Sequence, residues 1–435
     1  MRRRKAAHSL IGVAVAVIED SPNYLLNRHN LQRSSLATLA GCQTFCTHIR
    51  RNIWRSLIIA SLLSLFLSHG RAVETGLSET NLIPENTRLW TESMLWNEQI
   101  TLSSGLGYNN NVLLSAFNPQ GSPFFINGLD LMVVRLPLDG WKVVGSITGD
   151  DIRYWHNVGA DREDTFIASL RVERELPDGW QAGLEARGLY EDEVLDISTG
   201  QGTPATALVE GYGITGTPSL RKDLMAGLWL KLEVPVTRWY FKAPLDDYWE
   251  FGPVVTAGYD FGKRADVAVS YGATYQPHDQ WGTLDVYGRQ LPQLLLLEIF
   301  QHQVEIAWHQ YWDAQRRWRS STRLIFDYRE DNGGGYFNNY QYQAVQDLRW
   351  QTSNWEIKGS AQLVYEDYPI QTIAYHNSET LHRNLLDLSL EAEHRLFKSL
   401  KGFGKVEYQR AISNEVLNAG DYKATTVSGG IRWEF

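Results

Sequence analysis

Charged and apolar side chains alternate along three predicted strands in the second half of this 435-residue chain. Successive side chains of a β-strand point to opposite faces, so the charged residues of each segment share one face. Such a face could line a water-filled passage that contacts ions and polar solutes, or its charges could pair across strands and fill a closed interior. Both interpretations stay open. The charged positions in strands 316–329, 354–366 and 384–397 are Arg317, Arg319, Arg323, Glu356, Lys358, Glu391, Glu393 and Arg395.

The histidines are the side chains best suited to general acid–base catalysis. His302 and His309 lie on one predicted strand, whereas His278, His376 and His382 lie in loops or at strand ends. Their spacing to serines and acidic residues indicates no hydrolase motif, although a Ser–His–Asp group is a spatial arrangement and need not be visible in a sequence. We therefore predict that the protein is not an enzyme and has no catalytic residues. A hydrolase active at one rim of the fold is the third-ranked alternative.

The three charged strands belong to a series of alternating segments that extends over residues 98–435. Short turns and longer polar loops alternate between these segments, as in antiparallel barrels that cross a membrane. The predicted fold is all-β: a single antiparallel transmembrane β-barrel of about 16 strands, within a range of roughly 14 to 18, with short turns in the periplasm and longer loops outside the cell. The predicted strands are 98–110, 125–136, 141–154, 164–176, 180–194, 209–221, 224–237, 249–262, 265–277, 292–311, 316–329, 338–351, 354–366, 384–397, 401–412 and 423–435.

One predicted strand, 180–194, has an imperfect alternation. Leu184 and Leu189 are both apolar but have opposite parity, which places them on one face only if the strand slips in phase near Gly188. We therefore expect Leu189 to lie opposite the charged residues Glu185 and Arg187.

Residues 1–72 are predicted to be a signal region. Residues 50–55 are basic, 56–68 are apolar, and Gly70-Arg71-Ala72 supplies small residues for cleavage before Val73. The apolar segment is too short to span a bilayer as a helix. Residues 1–49 are interpreted as an over-extended start, with the signal peptide at about 50–72; the alternative is a long signal with an N-terminal extension. Residues 73–97 are interpreted as a periplasmic leader.

The composition changes when the signal region is removed. Both cysteines, Cys42 and Cys46, lie within it, so the remaining chain has no thiol for a disulfide, a metal site or catalysis. The remaining chain contains 31 basic and 48 acidic residues, a net charge of −17. This charge argues against a nucleic-acid partner. We predict no cofactor and no metal.

The C-terminal strand carries the first family resemblance. Val427, Ile431, Trp433 and Phe435 share one face, and charged or small residues occupy the other. An edge strand of a soluble sheet could show this pattern. It also resembles the C-terminal assembly signal of Gram-negative outer-membrane β-barrel proteins of the porin-like type, in which the final strand closes the barrel. The resemblance implies an outer-membrane location and insertion by the barrel-assembly machinery.

A second resemblance concerns residues 105–113, GLGYNNNVL. This segment resembles the GxGYDSNV first strand of barrels found in export systems for surface lipoproteins and exopolysaccharides. The chain departs from that pattern at Asn109-Asn110, where Asp-Ser is usual. The resemblance covers nine residues and implies that a periplasmic export partner exists.

The sequence thus predicts an outer-membrane channel or export component for polar solutes, with polysaccharide as one cargo, and a lumen lined by the eight charged residues above. The alternative is a structural or surface-interaction barrel whose lumen is filled. Expected partners are outer-membrane lipid, lipopolysaccharide, the barrel-assembly machinery and an export partner. Segments 109–124 and 278–291 are the loops expected to fold inward if the lumen is plugged.

Overall fold

The computed structural model describes residues 96–435 except 136–139, 157–158, 197–205, 243–244, 263, 293–294, 374–378 and 415–420. The predicted signal region and almost all of the predicted leader lie outside the described residues. No helix in the described part of the chain is long and apolar enough to cross a membrane.

The described chain forms eighteen β-segments. The first nine are β1 (Trp96–Asn109), β2 (Ser122–Arg135), β3 (Trp141–Tyr154), β4 (Arg162–Leu176), β5 (Trp180–Asp196), β6 (Thr206–Met225), β7 (Leu228–Glu233), β8 (Val236–Phe241) and β9 (Tyr248–Phe251). The others are β10 (Val254–Asp260), β11 (Ala265–Gly282), β12 (Leu296–Tyr311), β13 (Trp318–Asp331), β14 (Asn339–Gln351), β15 (Trp355–Thr372), β16 (Thr380–Arg395), β17 (Leu400–Ser413) and β18 (Tyr422–Glu434). A single 3₁₀ turn, Pro177–Gly179, joins β4 to β5.

The segments form one closed antiparallel barrel. The first strand pairs with the last, from Thr101↔Glu434 to Asn109↔Thr426, so the sheet has no free edge at this seam. β6 pairs with both β7 and β8, and β10 pairs with β7 while β9 pairs with β8. Thus β7 with β8, and β9 with β10, each act as one barrel strand, which gives sixteen barrel strands. The predicted single antiparallel barrel of about 16 strands is confirmed.

Proline explains why two barrel strands are interrupted. Pro235 lies between β7 and β8, and Pro253 lies between β9 and β10. Proline has no backbone N–H to donate to a ladder, so a strand breaks or bulges there.

The turn between β4 and β5 is a Pro-Asp-Gly hairpin. Asp178 has φ 59° and Gly179 has φ 71°, both in the left-handed region. Aspartate and glycine tolerate this region better than most residues, which is why this dipeptide makes tight hairpins.

The outer face of the barrel is apolar. Leu324, Leu363 and Leu390 are each more than half exposed and share the parity that faces away from the interior. Exposed aromatic rings lie at both ends of the strands. Most exposed tryptophans lie at the turn end and most exposed tyrosines and phenylalanines at the loop end, although Trp249 lies at the loop end and Tyr259 and Phe261 lie at the turn end. The tryptophans at the turn end include Trp141, Trp180, Trp308, Trp318, Trp355 and Trp433, and the rings at the loop end include Tyr108, Phe166, Tyr212, Phe251, Phe300, Tyr342 and Tyr365. An apolar band between two aromatic belts is the exterior of a transmembrane β-barrel.

The inner face carries the opposite parity and is mostly polar, with some aromatic rings lying flat on the wall. A Cβ added at Gly213 would lie 2.8 Å from the ring of Trp239, and Gly258 is covered in the same way by Trp229. Glycine at these positions therefore lets the rings approach the backbone closely.

The expected phase slip in the fifth strand is wrong. The pairing of β5 with β4 and with β6 continues without a bulge through Gly188, and Leu189 pairs with the buried Ile167. Leu189 therefore lies on the inner face together with Glu185 and Arg187. A lumen wall accepts an occasional leucine, so no slip is needed.

Candidate functional site: the charged lumen wall

Four of the predicted lumen residues meet in one ionic cluster on the inner face of β15 and β16. Lys358 Nζ lies 3.0 Å from Glu393 Oε1, 3.6 Å from Glu391 Oε1 and 3.3 Å from Glu356 Oε1. The register produces this contact directly, because Lys358 is opposite Glu391 and Glu356 is opposite Glu393. The Glu393 side chain is only 3% exposed, so these charges depend on one another for solvation.

The neighbouring strands extend the cluster on both sides. Arg432 from β18 contacts Glu393 and lies 3.1 Å from Glu391, and Lys401 from β17 lies 3.5 Å from Glu393. On the other side, Arg349 from β14 lies 2.8 Å from Glu356. Four cations and three anions from five adjacent strands therefore contact one another, and we call these seven residues the lumen ion network.

The remaining predicted residues lie near this network or at its end. Arg395 lies at the turn end of β16, 3.9 Å from Glu434. Arg323 faces inward from β13 at 3.8 Å from Glu305, and the Arg319 guanidinium lies 5.8 Å from the centre of the Tyr311 ring. Arg317 directly precedes β13, and its carbonyl accepts the Gln351 N–H.

A recess of about 420 Å³ opens in the lumen wall between Arg319 and Lys358. Its floor is formed by inward-facing residues such as Ser321, Ser360 and Gln362. Equal numbers of cations and anions surround it, which suits a hydrated polar solute better than an apolar one. The charged lining residues are Arg319, Arg323, Arg349, Lys358, Asp347, Asp387, Glu391 and Glu407.

Sequence reasoning missed Lys401, Arg432 and Arg349 as members of the network. Each follows the same alternation as the predicted residues, and the parity of Arg432 is opposite to that of Trp433 in the C-terminal strand. The missing information was the register that brings β17 and β18 beside β16. That register is set between successive strands of the sheet and is not encoded in any one strand.

The wall formed by β2 to β5 is more acidic. Strand parity and register place seven acidic and three basic side chains of the described residues on its inner face. Two of the bases are paired, since Lys142 Nζ lies 3.1 Å from Glu173 and Arg171 contacts Glu185. These inward residues are Asp130, Asp150, Glu163, Glu173, Glu175, Glu185 and Glu191, with Lys142, Arg171 and Arg187.

Two loops cover part of the inner face at the loop end. Leu284 from the β11–β12 loop and Phe337 from the β13–β14 loop pack on Leu297 and Ile299, which face inward from β12. The Gly334 N–H donates to the Leu284 carbonyl at 2.6 Å, which ties the loops together. Part of segment 278–291 therefore narrows the mouth of the barrel, whereas the wall below it carries the ionic groups.

The β11–β12 loop has its own stabilising ion pair. Burial raises the pKa of Asp285, but hydrogen bonds donated by the Arg289 side chain and by the Arg289 and Tyr287 amides outweigh it, and the pKa lies below its usual value. The carboxylate thus stays ionised at neutral pH and holds the turn that places Leu284 over the wall.

Segment 110–121 lies at the barrel seam, and its Val112 packs on Tyr154, an inward-facing residue of β3. Asn111 is 1% exposed, and its side-chain amide donates to the carbonyls of Ser115 and Lys423, each at 3.0 Å. Asn110 Oδ1 accepts the Thr425 N–H at 2.8 Å. The asparagines in the segment GYNNNV therefore link the first loop to the start of the last strand.

Replacing Asn111 by alanine is expected to weaken this link, because the Lys423 carbonyl and the Ser115 N–H and carbonyl lose their partner. The expected cost is about 1–3 kcal/mol of unfolding free energy. The midpoint of urea unfolding in lipid vesicles, followed by tryptophan fluorescence, measures it. Asn118, exposed in the same loop, provides the control: Asn118→Ala should leave the midpoint unchanged, and an equal loss in both variants would contradict the role of Asn111.

The described histidines do not form one site. His302 lies on the outer face, where Nδ1 is 2.9 Å from the Tyr271 hydroxyl, whereas His309 and His278 face inward. His309 Nδ1 lies 2.8 Å from Asp266 at the turn end, and His278 lies beside Asp246 at the loop end. His376 lies outside the described residues. Within the described ranges, no three His, Cys, Asp or Glu side chains are grouped to hold a metal.

Comparison with known proteins gives matches among solved structures alone. No protein-family model matches the chain, and no curated protein matches it. An anion-selective porin from Comamonas acidovorans is 12% identical, with a TM-score of 0.40, and the match covers 78% of this chain and 99% of the porin. OccAB3 from Acinetobacter baumannii is 8% identical, with a TM-score of 0.41 and the same two coverages. OccD3 from Pseudomonas aeruginosa is 9% identical, with a TM-score of 0.41, covering 78% of this chain and 91% of that one.

Proposed function

We propose that this protein is a channel in the outer membrane of a Gram-negative bacterium and that it passes polar solutes through a charged lumen. The observation that carries the proposal is the division of one closed barrel into two chemical faces. The outer face is apolar between aromatic belts, and the inner face holds the lumen ion network and the acidic wall of β2 to β5. Charges on the lipid side would cost about 2–4 kcal/mol each at mid-membrane, so this parity favours a polar interior.

The lumen charges favour cations over anions. The ion network is internally paired, so its charges largely cancel, whereas the wall of β2 to β5 has an excess of carboxylates. A wall with unbalanced negative charge raises the local concentration of cations. Neutral polar solutes, including sugars, would use the same polar surface, and polysaccharide is the largest cargo of this class.

The C-terminal strand supports the proposed assembly route. Phe435 is 72% exposed, its backbone pairs with Ile100, and the outward parity of Val427, Ile431 and Trp433 leaves a continuous apolar edge beside the seam. Such an edge is available to an assembly machine before β1 pairs with it. Recognition by the barrel-assembly machinery and by a periplasmic export partner are parts of the proposal.

The alternative, a barrel with a filled lumen, is favoured by one observation. The two mouth loops pack on inward residues of β12 and narrow the loop end. A structural or surface-interaction role would follow if this packing closed the passage completely.

Conductance in planar bilayers tests the proposal. We expect stable ion-conducting steps and a reversal potential in a KCl gradient that shows K⁺ permeating faster than Cl⁻. Asp130 faces the lumen and is exposed, so Asp130→Lys should lower this preference. Glu98→Lys makes the same charge change on the outer face and serves as the control.

Three outcomes would decide against parts of the proposal. The absence of conductance from folded protein would favour the filled barrel. Equal shifts in Asp130→Lys and Glu98→Lys would show that the lumen charges do not set selectivity. Liposome swelling with sugars of increasing size tests the cargo, and exclusion of disaccharides would reject polysaccharide.

A further inference from the structure

A groove of about 590 Å³ crosses the outer face of the barrel from β12 to β17. Its cause is a small residue between two large ones, because Ala344 pairs with Leu324 on one side and with Leu363 on the other. The walls are formed by outward-facing residues such as Ile306, Phe326 and Ile412. The groove is therefore a shallow apolar trough in a surface that faces lipid chains, and its volume is in the range of specific ligand sites.

The groove has a cation at its loop end. Arg410 lines it, is exposed, and lies on the outer face of β17 directly opposite Lys423 of β18. Like charges placed directly opposite each other on adjacent strands are destabilising unless an anion is shared between them. Among the described residues, no carboxylate forms a salt bridge with either side chain.

Other outward-facing bases at the same end of the barrel are paired. Arg153 lies 2.6 Å from Asp151, Arg162 lies 2.8 Å from Asp192, and Lys242 contacts Glu210. The Arg410–Lys423 pair thus differs from its counterparts around the rim. The contrast indicates that its counter-ion comes from outside the described residues.

Arg410 and Lys423 lie at the membrane depth of the lipid headgroups. Arg410 lies three residues before the end of β17, and Lys423 is the second residue of β18, so both are close to the loops. The loop end faces the outer leaflet, whose lipid carries phosphate groups. A phosphate forms strong charge-assisted hydrogen bonds with arginine and lysine, and it would remove the repulsion between these two side chains.

We propose that the barrel holds one phosphorylated outer-leaflet glycolipid, of the lipid A type, with a phosphate bound between Arg410 and Lys423 and an acyl chain in the groove beside Ala344. This site is separate from the lumen. It depends on the proposed outer-membrane location but not on conduction.

The test uses protein refolded in detergent, free of bacterial lipid, and titrated with bis-phosphorylated lipid A while native mass spectrometry counts the bound molecules. We expect the wild-type protein to retain one lipid. Arg410→Gln combined with Lys423→Gln should lower the apparent affinity at least ten-fold. Ala344→Leu, which fills the trough and keeps both charges, should also lower it. Migration on semi-native gels before and after heating confirms that each variant is folded.

The matched control is Arg174→Gln combined with Lys222→Gln. Both residues lie on the outer face near the turn end, where each stacks on a tryptophan ring. The control therefore removes the same two positive charges as the Arg410/Lys423 variant, but on the side of the inner leaflet. Its lipid affinity should remain within two-fold of wild type. Dephosphorylated lipid A should bind weakly to every variant.

Two results would overturn the inference. The first is equal retention of lipid A by the wild type and the Arg410/Lys423 variant, and the second is equal binding of the phosphorylated and dephosphorylated lipids. Conductance is measured separately in bilayers without lipid A. A barrel that binds lipid A but conducts no ions would refute the proposed channel and support this lipid site. A barrel that conducts ions but does not bind lipid A would support the channel and refute the lipid site.

Discussion

Replacing Gly430 by alanine is expected to prevent the barrel from closing. A Cβ at this position would lie 2.6 Å from Gly105 Cα and closer still to the Ser104 carbonyl oxygen, and both atoms belong to the backbone of β1. A backbone atom cannot rotate away from a clash as a side chain can, so β1 and β18 must separate where Gly105 pairs with Gly430. The expected cost is about 3 kcal/mol or more, together with lost seam hydrogen bonds.

Gly404→Ala is the matched control for this prediction. Gly404 lies on the next strand, opposite Gly429, and a Cβ there would meet nothing within 4 Å. The fraction of refolded protein that migrates as the compact form on a semi-native gel should fall at least ten-fold in Gly430→Ala and stay near wild type in Gly404→Ala. Equal yields of the compact form in both variants would show that the seam tolerates a methyl group.

The strands could be predicted because the alternation of inward and outward side chains is visible within each segment of the sequence. Strand 318–331 carries its inward and outward residues in plain alternation, and its predicted bounds of 316–329 differ by two residues at each end. Turn chemistry was also local, as the Pro177–Gly179 hairpin shows. An even number of strands and a C-terminal strand that returns to the first one then suffice to predict closure.

The breaks in two barrel strands could have been found by the same reasoning. The alternating pattern predicts continuous strands at 224–237 and 249–262, whereas Pro235 and Gly252-Pro253 interrupt them in the structure. A proline on a strand paired on both sides removes a ladder hydrogen bond and so favours a break, although β6 continues through Pro218. Here the local signal was present and outweighed by the hydrophobic pattern around it.

Other features depend on contacts that no single segment encodes. Alternation placed Glu393 on the inner face, but its contacts with Arg432 and Lys401 come from the order of β16, β17 and β18. The groove at Ala344 likewise needs the register of three strands to place a small residue between two leucines. The packing of the mouth loops on β12 joins segments about fifty residues apart. Sequence patterns assign a residue to a face, and register decides which residue it meets.

Replacing Glu393 by alanine is expected to have the second large effect. The Glu393 carboxylate contacts Lys358, Lys401 and Arg432, and its side chain is 3% exposed. Its removal leaves three cations close together with fewer counter-charges, although Glu391 still contacts two of them. Breaking a buried ion pair in this way costs about 3–5 kcal/mol. Urea unfolding in lipid vesicles should show this as a lower midpoint.

The control is Glu173→Ala on the opposite wall. Glu173 pairs with Lys142, whose side chain is 45% exposed, and an ion pair open to water contributes about 1 kcal/mol or less. Ion selectivity distinguishes the loss of a charge from the loss of packing. Glu393→Ala leaves an excess of positive charge on β15 to β18 and should shift the reversal potential towards Cl⁻. If Glu173→Ala lowered stability as much as Glu393→Ala, the charges on the five strands would act as independent pairs and not as one network. A Glu393→Gln variant keeps the hydrogen-bonding oxygen but not the charge. Compared with Glu393→Ala, it should recover part of the stability and none of the cation selectivity.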